Sequence, residues 1–197
     1  ERVGEKHFQI KYSIDEDVYY AKDLYGSGLF NKINEPRVLR NNSIFSFVTS
    51  HILVKIPIEL NTSVNISNIQ PNSERNEAHE EILFNNNNST SGSKIHFKVL
   101  YGINKGKEYS FDSIKSPIIT FGRTSSSNNS VNHIQFHADS ISRLQSTVFF
   151  KDNNWFVMDS DGEGASMNGT WCLVDEFFPL ENGVILRAGT TSFECII

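Results

Sequence analysis

The sequence predicts an all-β sandwich. Apolar residues alternate with polar ones over short segments, these segments are rich in β-branched and aromatic residues, and clusters of Gly, Asn and Asp separate them. Regularly spaced short strands between turn signals are typical of two packed antiparallel sheets. The predicted strands are HFQIKY (7–12), VYYAKD (18–23), SIFSF (43–47), HILVKIPI (51–58), KIHFKVL (94–100), IITF (118–121), STVFFK (146–151) and WFVMD (155–159).

Two turns join neighbouring predicted strands into hairpins. Asn104-Lys105-Gly106 lies between KVLYGI and KEYSF, and Asp152-Asn153-Asn154 lies between TVFFK and WFVMD. Helix signals are weak; the best is NSERNEAHEEILF (72–84), which Ser73 is placed to cap.

The composition and charge of the chain argue against several classes of function. The 197 residues are 38% hydrophobic, enough for a core, and the net charge of −5 comes from mixed charges without a basic stripe, which argues against nucleic acid as a partner. No apolar run approaches the roughly 20 residues of a membrane span, and ERVGEKHFQIKY has no signal-peptide core. Cys172 and Cys195 stand in strand-like segments typical of reduced, buried thiols. We expect an intracellular protein, cytoplasmic or nuclear and not secreted.

Residues 61–93 change in composition to Asn, Ser and Glu and end in a run of asparagines. So few apolar residues cannot offset the entropy lost on ordering the segment. We interpret it as a low-complexity Asn-rich linker or an insertion.

An internal repeat flanks this linker. LRNNSIFSFVTSHILVKI (39–56) aligns without a gap on LENGVILRAGTTSFECII (180–197), at a constant offset of 141 residues. Further back, with small gaps, Lys22-Asp23 aligns on Met158-Asp159 and His7 aligns on Gln145. The sequence therefore predicts two copies of one module in tandem, and the first copy begins at what is only the middle of the second. Either residues preceding it complete the first copy, or segment 1–58 packs on something else.

Three short motifs follow one another in the second copy: Gly122-Arg123 at a strand end, Ile141-Ser142-Arg143 before a strand pair, and Asn168-Gly169-Thr170-Trp171 after a turn. With this order and strand context, residues of about 92–197 resemble a forkhead-associated (FHA) domain, whose pattern is Gly-Arg, Ser-Arg-x-His and Asn-Gly-Thr before a terminal hairpin. The resemblance implies a β-sandwich whose loops at one end bind phosphothreonine peptides.

The residues suit that chemistry. The planar guanidinium of Arg123 matches a phosphate dianion, Ser142 offers a hydroxyl donor, and Arg143 adds a second positive charge or a peptide contact. The resemblance implies that Asn168 bonds the main chain of the peptide. The supporting residues are Gly122, Gln145, Met167 and Gly169.

Two positions depart from the family pattern. Gln145 replaces a histidine that holds the binding loops together in the family, and an amide can also donate and accept hydrogen bonds there. Met167 replaces a small polar residue, which puts a contact to the threonine methyl group or the peptide backbone in question.

The first copy lacks the ligands. Gly4-Glu5-Lys6-His7 keeps the histidine but has no serine hydroxyl, and its acid would repel phosphate. GSGLFNKI (26–33) is a shortened Asn-Gly-Thr region with Leu29 in place of the amide. The expected domains are the C-terminal half of a degenerate FHA-like domain (1–60), the linker (61–93) and an FHA domain (94–197).

Other chemistry finds little support in the sequence. Asp159, Asp161 and Glu163 resemble a fragment of a calcium loop without its remaining ligands, and His133, His137 and Asp139 have no fourth metal ligand nearby. No nucleophile motif is present. We expect no enzyme activity, no metal and no cofactor.

The leading hypothesis is a protein-interaction module that binds a phosphothreonine-containing protein or peptide in signalling or assembly. The alternative is a structural or scaffolding FHA-like protein that recognises protein surface without phosphate. A third hypothesis makes the chain the targeting part of a larger enzyme.

Overall fold

The computed structural model describes residues 6–24, 26, 28–57, 92–124 and 132–197. In these ranges the chain forms β-strands and no helix, so the predicted all-β class is confirmed. The strands are β1 (Phe8–Ser13), β2 (Val18–Asp23), β3 (Leu29–Lys32), β4 (Arg37–Leu39), β5 (Ile44–Phe47), β6 (Ser50–Lys55), β7 (Lys94–Tyr101), β8 (Glu108–Asp112), β9 (Ile118–Arg123), β10 (Ile134–Phe136), β11 (Ser146–Lys151), β12 (Asn154–Asp159), β13 (Trp171–Leu173), β14 (Phe178–Leu180), β15 (Ile185–Ala188) and β16 (Thr191–Glu194).

Two predicted features fall largely outside these ranges. The Asn-rich segment 61–93 has only Gly92 and Ser93 among the described residues, and the weak helix signal at 72–84 lies wholly outside them. None of the described residues belongs to a helix long and apolar enough to cross a lipid bilayer.

Turn chemistry fixes the two predicted hairpins. Asp152 and Asn153 both have positive φ angles, 49° and 59°, and join β11 to β12 in two residues. Such a turn matches the right-handed twist of its strands, and Asp and Asn tolerate the left-handed conformation it requires. Asn104 and Gly106 also have positive φ angles between β7 and β8. Both pairs of strands are antiparallel, as expected.

The strands of the described ranges form three sheets. One has five strands in the order β10-β9-β11-β12-β4, a second has eight in the order β16-β15-β3-β13-β5-β6-β7-β8, and a third has three in the order β1-β2-β14. Among the described residues, β9 and β10 run parallel, and the other neighbouring strands run antiparallel.

The main core lies between the five-stranded sheet and one half of the eight-stranded sheet. Aromatic rings meet edge to face at its centre, where Phe121 contacts both Phe45 and Phe97 with ring centroids 5.3 Å and 5.1 Å apart. We call this unit the site-bearing sandwich; it comprises β4 to β13. Its completely buried residues come from both sides of the Asn-rich segment, so neither side supplies this core alone.

A second, smaller core lies between β1-β2-β14 and the other end of the eight-stranded sheet. It contains Ala21, Leu29, Leu180, Leu186 and Ala188, with Phe8 packed against it. We call this the second unit; it comprises β1, β2, β3, β14, β15 and β16. The two units share one sheet because β3 pairs with β13.

Strand pairing therefore crosses the predicted boundary between segments 1–60 and 94–197. From the first segment, β4 pairs with β12, β5 with β13 and β6 with β7. From the second segment, β14 pairs with β2 and β15 with β3. Each segment thus supplies strands to both units.

The two aligned segments have the same local structure. At the offset of 141, β4 and β5 coincide with β14 and β15. The backbone N–H of Ile56 donates to Oδ1 of Asn41 at 3.1 Å, and that of Ile197 donates to Oδ1 of Asn182 at 3.2 Å. The repeated asparagine makes the same bond in both hairpins.

Candidate functional site

Arg123 is the last residue of β9 and lies at one end of the site-bearing sandwich. Its backbone N–H donates to the carbonyl of Ser142 at 2.9 Å, which joins the strand end to the loop before β11. Its Nη1 lies 3.3 Å from the carbonyl oxygen and 3.5 Å from Oδ1 of Asp139, whose side chain is fully exposed. A long, exposed ion pair of this kind contributes little stability, so the guanidinium is held without being strongly neutralised.

Gly122 allows the loop to approach the strand. A Cβ atom there would stand 2.1 Å from the carbonyl oxygen of Arg143 and 2.5 Å from Nδ2 of Asn132. Real Cβ atoms do not approach this closely, so any other residue would displace the loop. The same carbonyl accepts a 2.6 Å hydrogen bond from Asn132, which fixes the backbone between Ser142 and Gln145.

Gln145 connects the two loops of the site. Its side chain is completely buried, its Oε1 accepts a 3.1 Å bond from the backbone N–H of Ser142, and its Nε2 donates to Oγ of Ser166 at 2.6 Å and to the carbonyl of Gly169 at 3.2 Å. An amide has both a donor and an acceptor, which is what this bridge requires. The glutamine at the family's histidine position thus joins the Ser-Arg loop to the Asn-Gly loop.

Ser142 and Asn168 add two direct links between the same loops. The hydroxyl oxygen of Ser142 accepts a 2.8 Å bond from the backbone N–H of Met167, and Nδ2 of Asn168 donates to the carbonyl of Ser140 at 2.7 Å. Accepting that bond leaves the Ser142 O–H able to donate, and the Asn168 Oδ1 able to accept. Arg143 and Asn168 are exposed, and Met167 is 73% exposed.

Asp159 is a supporting residue that lies outside the three sequence motifs. Its carboxylate accepts bonds from the hydroxyls of Ser166 and Thr170, at 2.6 Å and 2.7 Å, and from the backbone N–H of Ser166 at 2.8 Å. Paired charge-assisted bonds of this kind hold the start of the Asn-Gly loop. The alignment of Asp23 with Asp159 is the signal that could have indicated this role.

Two of the residues that the sequence offers as metal ligands, Asp161 and His133, make hydrogen bonds within the chain. The Asp161 carboxylate accepts backbone N–H bonds from Glu163 and Gly164, and these bonds lower its pKa. Nδ1 of His133 lies 3.0 Å from Oγ1 of Thr120. These contacts give both residues a structural role in their loops.

The corresponding region of the first segment has a different surface. His7 is buried, and its carbonyl accepts a bond from Leu24 as the carbonyl of Gln145 accepts one from Ser160. Leu29, at the position expected for the amide, is completely buried in the smaller core. Gly4 and Glu5 lie outside the described residues.

Comparisons with known proteins give one match. Residues 119–190 match the family described as FHA domain, and this range holds all eight predicted site and supporting residues. Searches of curated proteins and of solved structures each gave no match. FHA domains are a non-catalytic family that binds phosphoprotein partners. The matched range, together with the all-β fold that surrounds it, supports an FHA domain protein.

Proposed function

We propose that the chain is a protein-interaction module that binds phosphothreonine peptides at the loops after β9, before β11 and before β13. The observation that carries the proposal is the set of hydrogen bonds that joins Arg123 to Ser142, Ser142 to Met167, and Asn168 to Ser140. These bonds hold the guanidinium of Arg123, the hydroxyl of Ser142 and the amide of Asn168 at one end of a rigid sandwich, which is where binding loops usually lie.

Arg123 is the proposed primary phosphate ligand. A phosphate dianion offers stronger charge-assisted hydrogen bonds than the 3.3–3.5 Å contacts that the guanidinium makes with Asp139. The ligand would displace the exposed carboxylate at little cost because that ion pair is solvated. Ser142 donates its O–H to a second phosphate oxygen, and Arg143 supplies further positive charge from the adjacent exposed position.

Asn168 and Met167 are the proposed peptide contacts. Oδ1 of Asn168 accepts a peptide N–H while Nδ2 stays bonded to Ser140, so the amide fixes the register of the bound chain. The backbone N–H of Met167 bonds Oγ of Ser142, and its exposed side chain offers a flexible apolar contact to the threonine methyl group or the next peptide residue.

The experiment is titration of an oriented phosphothreonine peptide library against the wild type and Arg123→Ala. We expect phosphothreonine peptides to bind more tightly than their phosphoserine and unphosphorylated versions. Loss of about 1.5–3 kcal/mol from a hydrogen bond to a charged group predicts at least about tenfold weaker binding for Arg123→Ala. Arg40→Ala is the matched control, since the side chain of Arg40 is exposed and lies in a long, 3.8 Å ion pair with Glu176.

A second candidate function is phosphate-independent recognition of a protein surface. The contact between Asp139 and Arg123, with a methionine beside Ser142, favours it. Equal affinity for phosphorylated and unphosphorylated peptides, unchanged by Arg123→Ala, would establish this alternative and contradict the first.

The proposal includes two FHA-like copies, of which only the second binds phosphate. The buried Leu29 and the absence of a serine hydroxyl beside His7 support the loss of binding in the first. We also propose an intracellular compartment, where thiols such as Cys172 stay reduced; Cys172 and Cys195 are both free.

A further inference from the structure

The second unit has two sheet edges whose counterparts in the site-bearing sandwich are covered. There, β7 pairs with the outer side of β6, and β9 pairs with the outer side of β11. The repeat places β16 at the position of β6 and β1 at the position of β11. Among the described residues, β16 and β1 are each the last strand of their sheet.

Burial differs between the two units at these edges. Ile52, paired with Val99 of β7, is completely buried, whereas its counterpart Phe193 is 39% exposed. Val148, paired with Ile119 of β9, is completely buried, whereas its counterpart Ile10 is 56% exposed.

A third position shows the same contrast. The indole N–H of Trp155 donates to Oγ of Ser93, next to β7, and the side chain is almost completely buried. Its counterpart Tyr19 is 43% exposed and packs on Tyr12 with ring centroids 4.7 Å apart, as Trp155 packs on Phe150 at 5.0 Å. Tyr19 thus has the same ring packing as Trp155. Among the described residues, however, no strand covers Tyr19 as β7 and its flanking residue Ser93 cover Trp155.

Positions away from the two edges are equally buried in both units. Leu39 and Leu180 are counterparts, as are Val157 and Ala21, and all four are buried. The extra exposure is therefore confined to side chains that β7, β9 and their flanking residues cover in the site-bearing sandwich. Phe8 and Phe193 meet at 5.6 Å across the two sheets, so the exposed side chains continue directly into the smaller core.

We propose that these edges form a docking surface for a polypeptide that supplies strands equivalent to β7 and β9. The open-edge surface consists of the outer main chain of β1 and β16 with Ile10, Tyr12, Tyr19, Phe193 and Ile197. Added strands satisfy the main-chain N–H and C=O groups of an open edge, while apolar side chains at alternate positions give specificity.

The pairing pattern indicates the chemistry of the partner. It must present alternating apolar residues like Ile95, Phe97 and Val99 on one strand and a second strand at the spacing of β9. A second copy of this chain does not fit, because its own β7 and β9 residues are buried in its site-bearing sandwich. The partner is therefore a polypeptide whose strands of this type are unpaired.

The test uses a polypeptide of residues 92–124, which carries β7, β8 and β9, added to the full chain. Affinity is measured by titration, and the contacted strands are located by amide hydrogen exchange. We expect slower exchange in β16 and β1, and at least about tenfold weaker binding for Ile10→Asp and Phe193→Asp, because each puts a charge into the apolar contact. Ile114→Asp is the matched control, since Ile114 is 62% exposed, close to the 56% of Ile10, and lies outside this surface.

Several results would overturn the proposal. These are no binding, equal affinity for all three variants, slower exchange only in β6 and β11, or self-association of the chain through Phe193 in sedimentation. Arg123→Ala is expected to leave this binding unchanged, which separates it from recognition of phosphopeptides. A chimera with residues 92–124 joined before residue 1 is expected to melt at a higher temperature than the chain alone, and an unchanged melting temperature would also count against docking.

Discussion

The guanidinium of Arg187 donates a 2.9 Å hydrogen bond to the hydroxyl of Ser46, the residue 141 positions earlier with which it aligns in the repeat. The same guanidinium lies 4.3 Å from the ring centroid of Trp171 and 5.5 Å from that of Phe30. Counterparts from the two segments thus meet where β13 and β3 pair. The site-bearing sandwich consequently depends on residues far from its binding loops.

Phe47→Ala should test this dependence. Phe47 lies in β5, before the Asn-rich segment, and its ring contacts Phe121 of the strand that ends at Arg123. Truncating a fully buried aromatic side chain costs about 3–5 kcal/mol, so we expect a lower denaturation midpoint and weaker phosphopeptide binding at temperatures where the variant partly unfolds. Phe177→Ala, at an exposed aromatic residue, is the control. Unchanged stability of Phe47→Ala would show that the core does not need β5.

Gln145→Ala should lower both stability and affinity. Removing the amide leaves the buried hydroxyl of Ser166 and the carbonyl of Gly169 without this partner, which costs about 1–3 kcal/mol. The loops carrying Ser142 and Asn168 then lose their bridge, so affinity should fall further than in the exposed control Gln9→Ala. Gln145→His should restore part of the affinity. Chemical denaturation and peptide titration measure the two effects, and wild-type affinity in Gln145→Ala would contradict the bridging role.

Gly122→Ala should disturb the site by displacing its loop. The new methyl group would overlap the carbonyl of Arg143, and relieving such overpacking costs about 1–3 kcal/mol. We expect a lower melting temperature and weaker phosphopeptide binding. Gly164→Ala is the control, since no atom lies within 4 Å of its added Cβ. Equal stability of the two variants would show that the loop adjusts freely.

The thiol of Cys172 should make stability fall at alkaline pH. Burial raises its pKa from the ordinary value of 9.0 to about 12. The unfolded chain therefore loses this proton first, so the contribution to stability is complete below pH 9 and is lost as pH rises from 9 towards 12. Cys172→Ser should flatten this part of the profile of unfolding free energy against pH, compared with Cys195→Ser. In the folded chain, thiol reagents should modify Cys195 before Cys172, and the opposite order would contradict the burial of Cys172.

Local patterns predict the strands well where alternation is long. β2 has the predicted bounds, and β7, β11 and β12 differ from prediction by one residue at most. The pattern missed β3, β4 and β13, because three or four residues are too few to show a period. Their positions depend on pairing with strands far away in the sequence.

The candidate site likewise contains residues that the sequence predicts and residues that it does not. The sequence motifs predict Arg123, Ser142 and Asn168 as site residues, because their residue types suit the chemistry of phosphate and peptide binding. The bonds that Asp159 accepts from Ser166 and Thr170 could not be predicted from the motifs, since they depend on how a turn folds back. The crossing of strands between the two segments also leaves no local signal, because each strand would show the same alternation with either partner.

The pairing of β3 with β13 has a mechanical consequence. A continuous sheet leaves no flexible joint between the proposed phosphate site and the open-edge surface, so the two face a partner at a constant separation. A protein that engages both would lose little further freedom at the second contact, and its overall avidity would depend on whether its own spacing matches that of the sheet.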